Sequence, residues 1–203
     1  MHDLRTGALL LPPARRADRA HGHAGLDAGV SEALFRRVIG ADFDQLPERV
    51  KALHLARGAQ RYRGQVRVSR GTSLLSRLFA WATRLPPAGE GELEVEIDAD
   101  GARERWTRHI GGRAMPSRLW HDQGLLCERL GLVEFGFRLT VRDNALHWQV
   151  VRVRALGLPL PAAAFRAVQA RESGQAGRYC FDVSAALPLA GPLVHYRGWL
   201  QVP

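Results

Sequence analysis

The stretch that decides the fold runs from Val133 to Arg154. It reads Val-Glu-Phe-Gly-Phe-Arg-Leu-Thr-Val-Arg, then Asp143-Asn144, then Ala-Leu-His-Trp-Gln-Val-Val-Arg-Val-Arg. Two alternating runs meet at a dipeptide that accepts positive φ at both turn positions, which predicts a two-residue hairpin. A turn of that length sets Val141 opposite Leu146, Leu139 opposite Trp148 and Phe137 opposite Val150. One face is then apolar, and Arg138, Thr140 and Arg142 lie on the other. The same register carries Arg152 and Arg154 onto the apolar face, opposite Phe135 and Val133. A buried arginine needs an anion or a carboxylate partner. A bulge at Val150-Val151 would instead flip the phase and send both to solvent.

Working outward, the same alternation recurs on both sides. Arg61–Ser69 puts Tyr62, Gly64, Val66 and Val68 on one face. Leu93, Val95 and Ile97 alternate with acids up to Asp100-Gly101, read as a two-residue turn that pairs Asp98 with Arg103 and Glu96 with Arg105. That register places Glu104, Trp106 and Arg108 on the inner face, across from Ile97, Val95 and Leu93. Gly111-Gly112 and Gln123-Gly124 supply further turns around Ala114–Trp120 and Leu125–Leu130, with Pro116 pointing to an edge or a bulge. After Leu158-Pro159-Leu160-Pro161 come a short helical turn, an extended piece to Glu172, the alternating Arg178–Leu187, and a last strand through Val194, Tyr196, Leu200 and Val202.

Helices are expected only near the front. One runs to Ile39, capped by Ser31 and ended by Gly40; a second starts at Pro47 and runs to about Ala56. A third, from Ser73 to Leu85 behind a Thr72 cap, carries the stripe Leu74, Leu75, Leu78, Phe79, Ala82 and Leu85 at helical spacing, with Trp81 at its edge. Residues 1–29 lack periodicity and read as a disordered segment ahead of one domain at 30–203. Nine or ten strands joined by hairpins tend to close, because closure removes exposed edges. The expected fold is therefore mainly β, an antiparallel meander forming a closed or half-open barrel of lipocalin or fatty-acid-binding type. The third helix would be a lid with Leu75, Leu78, Phe79 and Ala82 directed inward.

Composition narrows the function. The net charge is +9, but only Lys51 of the 29 basic residues is a lysine, and the arginines alternate along strands rather than forming a run. A solvated sheet face accounts for them better than nucleic acid does. No apolar run approaches the roughly 20 residues that span a bilayer, so the expectation is a cytoplasmic protein without a transmembrane segment. Cys127 and Cys180 lie in separate strands, without a second Cys or a His at ligand spacing. His21-Gly22-His23 and His54 could each contribute a metal or haem ligand, but no partner ligands are visible; no metal and no cofactor is expected.

Several stretches together resemble a bacterial domain of unknown function, the one numbered 4166: Leu34–Gly40, Leu46–His54, Arg61–Gly64, Arg105–Arg108, Leu156–Pro161, Tyr179–Val183 and, most specifically, Val194-His195-Tyr196-Arg197-Gly198-Trp199-Leu200. In that family the domain stands alone or follows an oxidoreductase-like domain of the saccharopine dehydrogenase kind. The resemblance thus implies a possible oxidoreductase partner but no catalytic residues. The barrel reading, a fold-level analogy, suggests a non-catalytic module for an apolar or amphipathic small molecule. Its candidate ligand residues are Tyr62, Gly64, Glu104, Trp106, Arg108, Trp148, Arg152, Tyr196 and Gly198. The two Tyr-Arg-Gly triplets, 62–64 and 196–198, sit on the first and last strands, which should pair antiparallel, with both tyrosine hydroxyls hydrogen-bonded inside. Their glycines would leave room for a ligand or simply let the wall coil. The alternatives are an enzyme or reductase accessory, drawing on Glu104, His109, Glu172 or His195, and a protein or membrane interaction module built on the third helix.

Overall fold

The computed structural model describes residues 32–203. Ser31, the histidines at 21 and 23 and the segment 1–29 lie outside that range. Helices α1 (Leu34–Ile39) and α2 (Glu48–Leu55) flank a 3-10 turn at Gly40–Gln45, and α3 (Leu74–Ala82) falls between the first two strands. The strands are β1 (Gly58–Arg70), β2 (Gly89–Ala99), β3 (Arg103–Ile110), β4 (Arg113–Asp122), β5 (Leu125–Leu130), β6 (Val133–Arg142), β7 (Ala145–Ala155), β8 (Leu158–Leu160), β9 (Gln169–Gln175), β10 (Arg178–Leu187) and β11 (Gly191–Gln201).

All pairings are antiparallel. β1 through β7 pair in sequence, β7 continues to β9, and β10 and β11 lead back to β1. Ten strands close into a barrel, and β8 is an extra strand on the end of β7. Closure joins the two strands that carry the Tyr-Arg-Gly triplets, though the triplets themselves are offset along the seam: Gly64 pairs with Leu200, Val66 with Gly198 and Val68 with Tyr196. Such a wall leaves no free edge over most of its circumference.

The central hairpin has the expected register, with Asp143 and Asn144 both at positive φ. The register then slips: Phe137 pairs with Val150 but Gly136 with Arg152, so Val151 is an inserted residue. Val153 takes the inward position at 1% exposure, and Arg152 turns to the opposite, outer face, where it is half-buried. Arg152 there holds Asp122 at 2.6 Å and lies 2.9 Å from the Cys127 sulfur. Its assignment to the ligand face is therefore corrected. The bulge is favoured because one extra residue costs less than burying two cations.

Two further expectations shift. The β2–β3 connection is longer than two residues, because Asp100 folds it back by accepting hydrogen bonds from the backbone N–H groups of Ala102 and Arg103. Asp98 thus pairs with Arg105, and Trp106 with Ile97. A slip of two keeps every side chain on its expected face. Pro116 lies inside the wall, but just beyond the last β4–β5 pair, Ser117 with Leu130, so its missing donor faces no neighbour there.

The two ends of the barrel are closed differently. α1, the 3-10 turn and α2 form a plug in which Leu34, Phe35, Phe43 and Val50 are all fully buried. Phe35 stacks on His54 at 3.6 Å between ring centroids and reaches Trp148 at 5.5 Å. α3 covers the other end. Ser73, not Thr72, is its cap, accepting from the Ser76 N–H at 3.1 Å and donating to the Ala190 carbonyl at 2.8 Å.

Candidate functional site

α3 meets the barrel through small side chains. Ser76, Ala80 and Thr83 are buried, with Phe79 the one large residue among them that turns inward. Leu75 and Leu78 are 52% and 60% exposed, and Ala82 borders a groove outside the barrel. Of the four proposed lid residues only Phe79 faces the interior. Periodicity divides a helix into two faces without saying which one meets the protein. Here the face of Ser76, Ala80 and Thr83 lies flat because its hydroxyls anchor it: Ser76 donates to the Gly71 and Leu193 carbonyls.

Below Phe79 lies a cavity of about 110 Å³. Its wall is apolar and aromatic, including Phe135, Phe137, Trp106 and Trp148, and a few polar groups converge on it: Arg108, Glu128, Glu172, Tyr179 and Tyr196. Arg108 on β3 donates to Ser117 at 3.0 Å and to Glu128 on β5 at 3.1 Å, with its guanidinium 5.0 Å from the Trp106 ring centroid. Burial opposes the charge on Arg108, but Glu128 facing it holds its pKa above the usual arginine value. Burial pushes the Tyr196 hydroxyl up to about 12. The same cause, reinforced by Glu172, carries Tyr179 well above its ordinary value.

A second buried polar group lies toward the plug. His54 on α2 meets Glu172 on β9 with Nε2 and Oε2 2.6 Å apart, both side chains almost fully buried. Tyr179 donates to the same carboxylate. Glu104 accepts from the Trp106 indole at 2.7 Å. Burial drives the Glu104 carboxyl above the ordinary carboxylate range, against the opposing pull of His54 and of the Trp106 bond.

The sequence candidates separate accordingly. Trp106, Arg108, Trp148 and Tyr196 line the cavity, while Tyr62 and Glu104 are buried but stand outside its lining. The tyrosine hydroxyl that finds a hydrogen-bond partner is that of Tyr179, not Tyr62 or Tyr196, for which none is found among the described residues. Gly64 and Gly198 belong to the seam. A Cβ on Gly64 would stand 1.8 Å from the Trp199 carbonyl oxygen, and one on Gly198 2.1 Å from that of Gln65. These glycines let two backbones cross closely, and a Cβ on Gly198 would also stand 2.8 Å from the ring of Phe181, which lines the cavity. Of the acid–base candidates, His109 and His195 are on the outer face, beside Glu96 and Asp182. Glu94, Glu96 and His109 come within metal-binding reach of one another, but Arg61 and Arg63 already pair with the two carboxylates. Glu128 went unread in the sequence, although its alternation with Leu126 and Leu130 marks it as inward-facing.

A ten-stranded antiparallel barrel with a plugged end and an apolar interior belongs to the lipocalin-like class of architectures. Within that class the chain is a member of the family described as Domain of unknown function (DUF4166), which matches residues 46–200. A comparison with curated proteins finds no match. No helix among the described residues is long and apolar enough to cross a membrane.

Proposed function

We propose that this barrel is a non-catalytic binding module for a small apolar or amphipathic molecule. The observation that carries the reading is the cavity itself, an apolar and aromatic wall beneath Phe79 with Arg108–Glu128 and Tyr196 at its polar side. Ligand sites of this kind combine apolar lining with a few placed polar groups. The Trp148 indole N–H adds to it: it is buried without an acceptor among the described residues. An unmet buried donor costs about 1 to 3 kcal/mol, and an occupant with an acceptor would satisfy it. Arg108 and Glu128 largely neutralise each other, which suits a polar neutral group better than a free charge.

Size limits the ligand. About 110 Å³ is below the volume, roughly 150 Å³, at which an apolar cavity admits benzene. A short alkyl chain or a compact group fits, whereas a long acyl chain would have to displace Phe79. The test is native mass spectrometry of protein purified from its own host, alongside Ala170→Phe, which fills the cavity from β9. Expected is a retained ligand mass in the wild type that disappears in the variant while its circular dichroism is unchanged. A wild type that is always ligand-free, or retention unaffected by the filled cavity, overturns the reading.

A further inference from the structure

Nine large hydrophobic side chains are exposed among the described residues, and all but Leu55 gather at the α3 end of the barrel. Leu74, Leu75, Leu78 and Trp81 form the outward face of α3, between 52% and 81% exposed. The turns around it add Leu132, Leu156 and Leu189. Backbone contacts weld these into one surface: Leu132 N–H donates to the Ala82 carbonyl at 3.1 Å, Leu156 N–H to the Leu132 carbonyl at 3.0 Å, and Ser73 ties the helix start to Ala190 at 2.8 Å. Such a contiguous patch on a monomer marks a contact surface.

The charge around it has one sign. The connections at this end, residues 70–88, 110–113, 130–133, 155–168 and 187–192, carry Arg70, Arg77, Arg84, Arg113 and Arg166 and no Asp or Glu. Arg70, Arg77, Arg84 and Arg113 line a groove beside α3. Unlike many arginines of the barrel wall, these four make no ion pair with another described residue. Part of the barrel wall does pair its charges, as Arg61, Arg63, Arg67 and Arg105 do with acids on β2.

We infer that the α3 end docks on the surface of an anionic phospholipid bilayer. Leucines and Trp81 would enter the interface in the plane of the membrane while the arginines around them meet lipid phosphates. A second copy or a protein partner would also cover leucines. Unpaired arginines fringing the patch, without any acid to answer them, favour a polyanionic surface. The inference does not require the cavity to hold a ligand, though docking would set Phe79 and the cavity against the lipid phase.

The test uses the full chain and flotation with two kinds of vesicle, phosphatidylcholine alone and phosphatidylcholine with about a third phosphatidylglycerol. Expected is binding to the anionic vesicles at low salt, with a blue shift of tryptophan emission that Trp81→Phe removes. Binding should weaken toward 1 M salt, where the screening length falls to about 3 Å. Each of Arg77→Gln and Arg84→Gln should lower the partition coefficient about fivefold, and Leu75→Ser with Leu78→Ser should abolish binding. These side chains are exposed, so melting curves should match the wild type. No binding to anionic vesicles, or equal binding to both compositions unaffected by the arginine variants, overturns the proposal. So does self-association that the leucine double variant alone reverses, which would assign the face to a second copy.

Discussion

At one end of the barrel, α1 and α2 turn Leu34, Phe35, Val50 and Leu53 inward until each is 2% exposed or less; at the other, α3 turns Leu74, Leu75, Leu78 and Trp81 outward at 52% or more. Both ends are closed by short helices, yet one is a core and the other a surface. The difference lies in what each presents to the wall. The plug offers rings and branched aliphatics that fill the bore, and His54 and Glu172 lock it to β9. α3 offers hydroxyls and a methyl group, which permit close approach but fill no space. The cavity lies where filling stops, between the aromatic wall and Phe79. An end built this way is suited to exchange with its surroundings, whereas the plugged end is suited to hold the structure together.

The largest expected effect tests whether the two ends share one continuous wall. Gly64→Val would drive a side chain into the Trp199 backbone at the β1–β11 seam. We expect a loss of more than about 5 kcal/mol, seen as a chain that gives no cooperative urea transition at either end. A variant that melts like the wild type would mean that closure does not depend on this crossing.

The next prediction compares the ends directly. Phe35→Ala should cost about 3 to 5 kcal/mol in urea unfolding, as a large-to-small change at a fully buried site. Leu78→Ala, equally conservative in sequence terms, should stay within about 0.5 kcal/mol, because little of it is buried. Equal costs would erase the distinction.

The wall of this barrel was legible in the sequence because alternation and hairpin turns are local signals. The Asp143-Asn144 register, the closure of the first strand on the last and the family resemblance all rested on short stretches. The Asp100 connection was misread by two residues, and the inward faces survived because a strand's period is two. The direction of α3 was not legible. Its leucines form as good a stripe as any core helix, and only the hydroxyl anchors from Ser73 and Ser76 to the β10–β11 turn and the start of β11 reveal that the small face is the buried one. The polar cluster was half legible: Trp106 and Arg108 follow from one strand, but their partner Glu128 arrives from two strands away. Single-strand reading cannot pair residues across an intervening strand, and a bulge such as that at Val151 leaves only a conflict between pattern and charge as its trace.

A smaller effect is expected at the lock between α2 and β9. Glu172→Gln keeps an oxygen for His54 and removes the buried charge, so the expected cost is about 1 to 3 kcal/mol. The corresponding change on the surface, Asp182→Asn beside His195, should cost less than about 1 kcal/mol. Amide exchange should show the Glu172→Gln loss concentrated in α2, with α3 unaffected. If α3 opens along with the plug, the two ends are coupled and the comparison fails.

The smallest effect depends on pH. Burial raises the Glu104 carboxyl above its unfolded value, with Glu172 and Asp100 adding to the shift and His54 and the Trp106 hydrogen bond opposing it. A raised folded pKa means that the folded state favours the neutral acid. The stability this confers is fully present below the unfolded value, near 4.5, and is lost as pH rises through the folded pKa. Above that point the buried anion is a cost, and glutamine removes it while still offering an oxygen to the Trp106 indole. Glu104→Gln should therefore melt higher than the wild type at pH 8. The advantage should shrink as pH falls and vanish below the unfolded value, where wild-type Glu104 is neutral as well. Arg108→Gln gives the contrast, since removing that cation strands Glu128 at every pH where the carboxylate is charged. A Glu104→Gln difference that is independent of pH, or a variant less stable at pH 8, would show that the indole bond outweighs burial, and that the plug side of the interior tolerates a charge there.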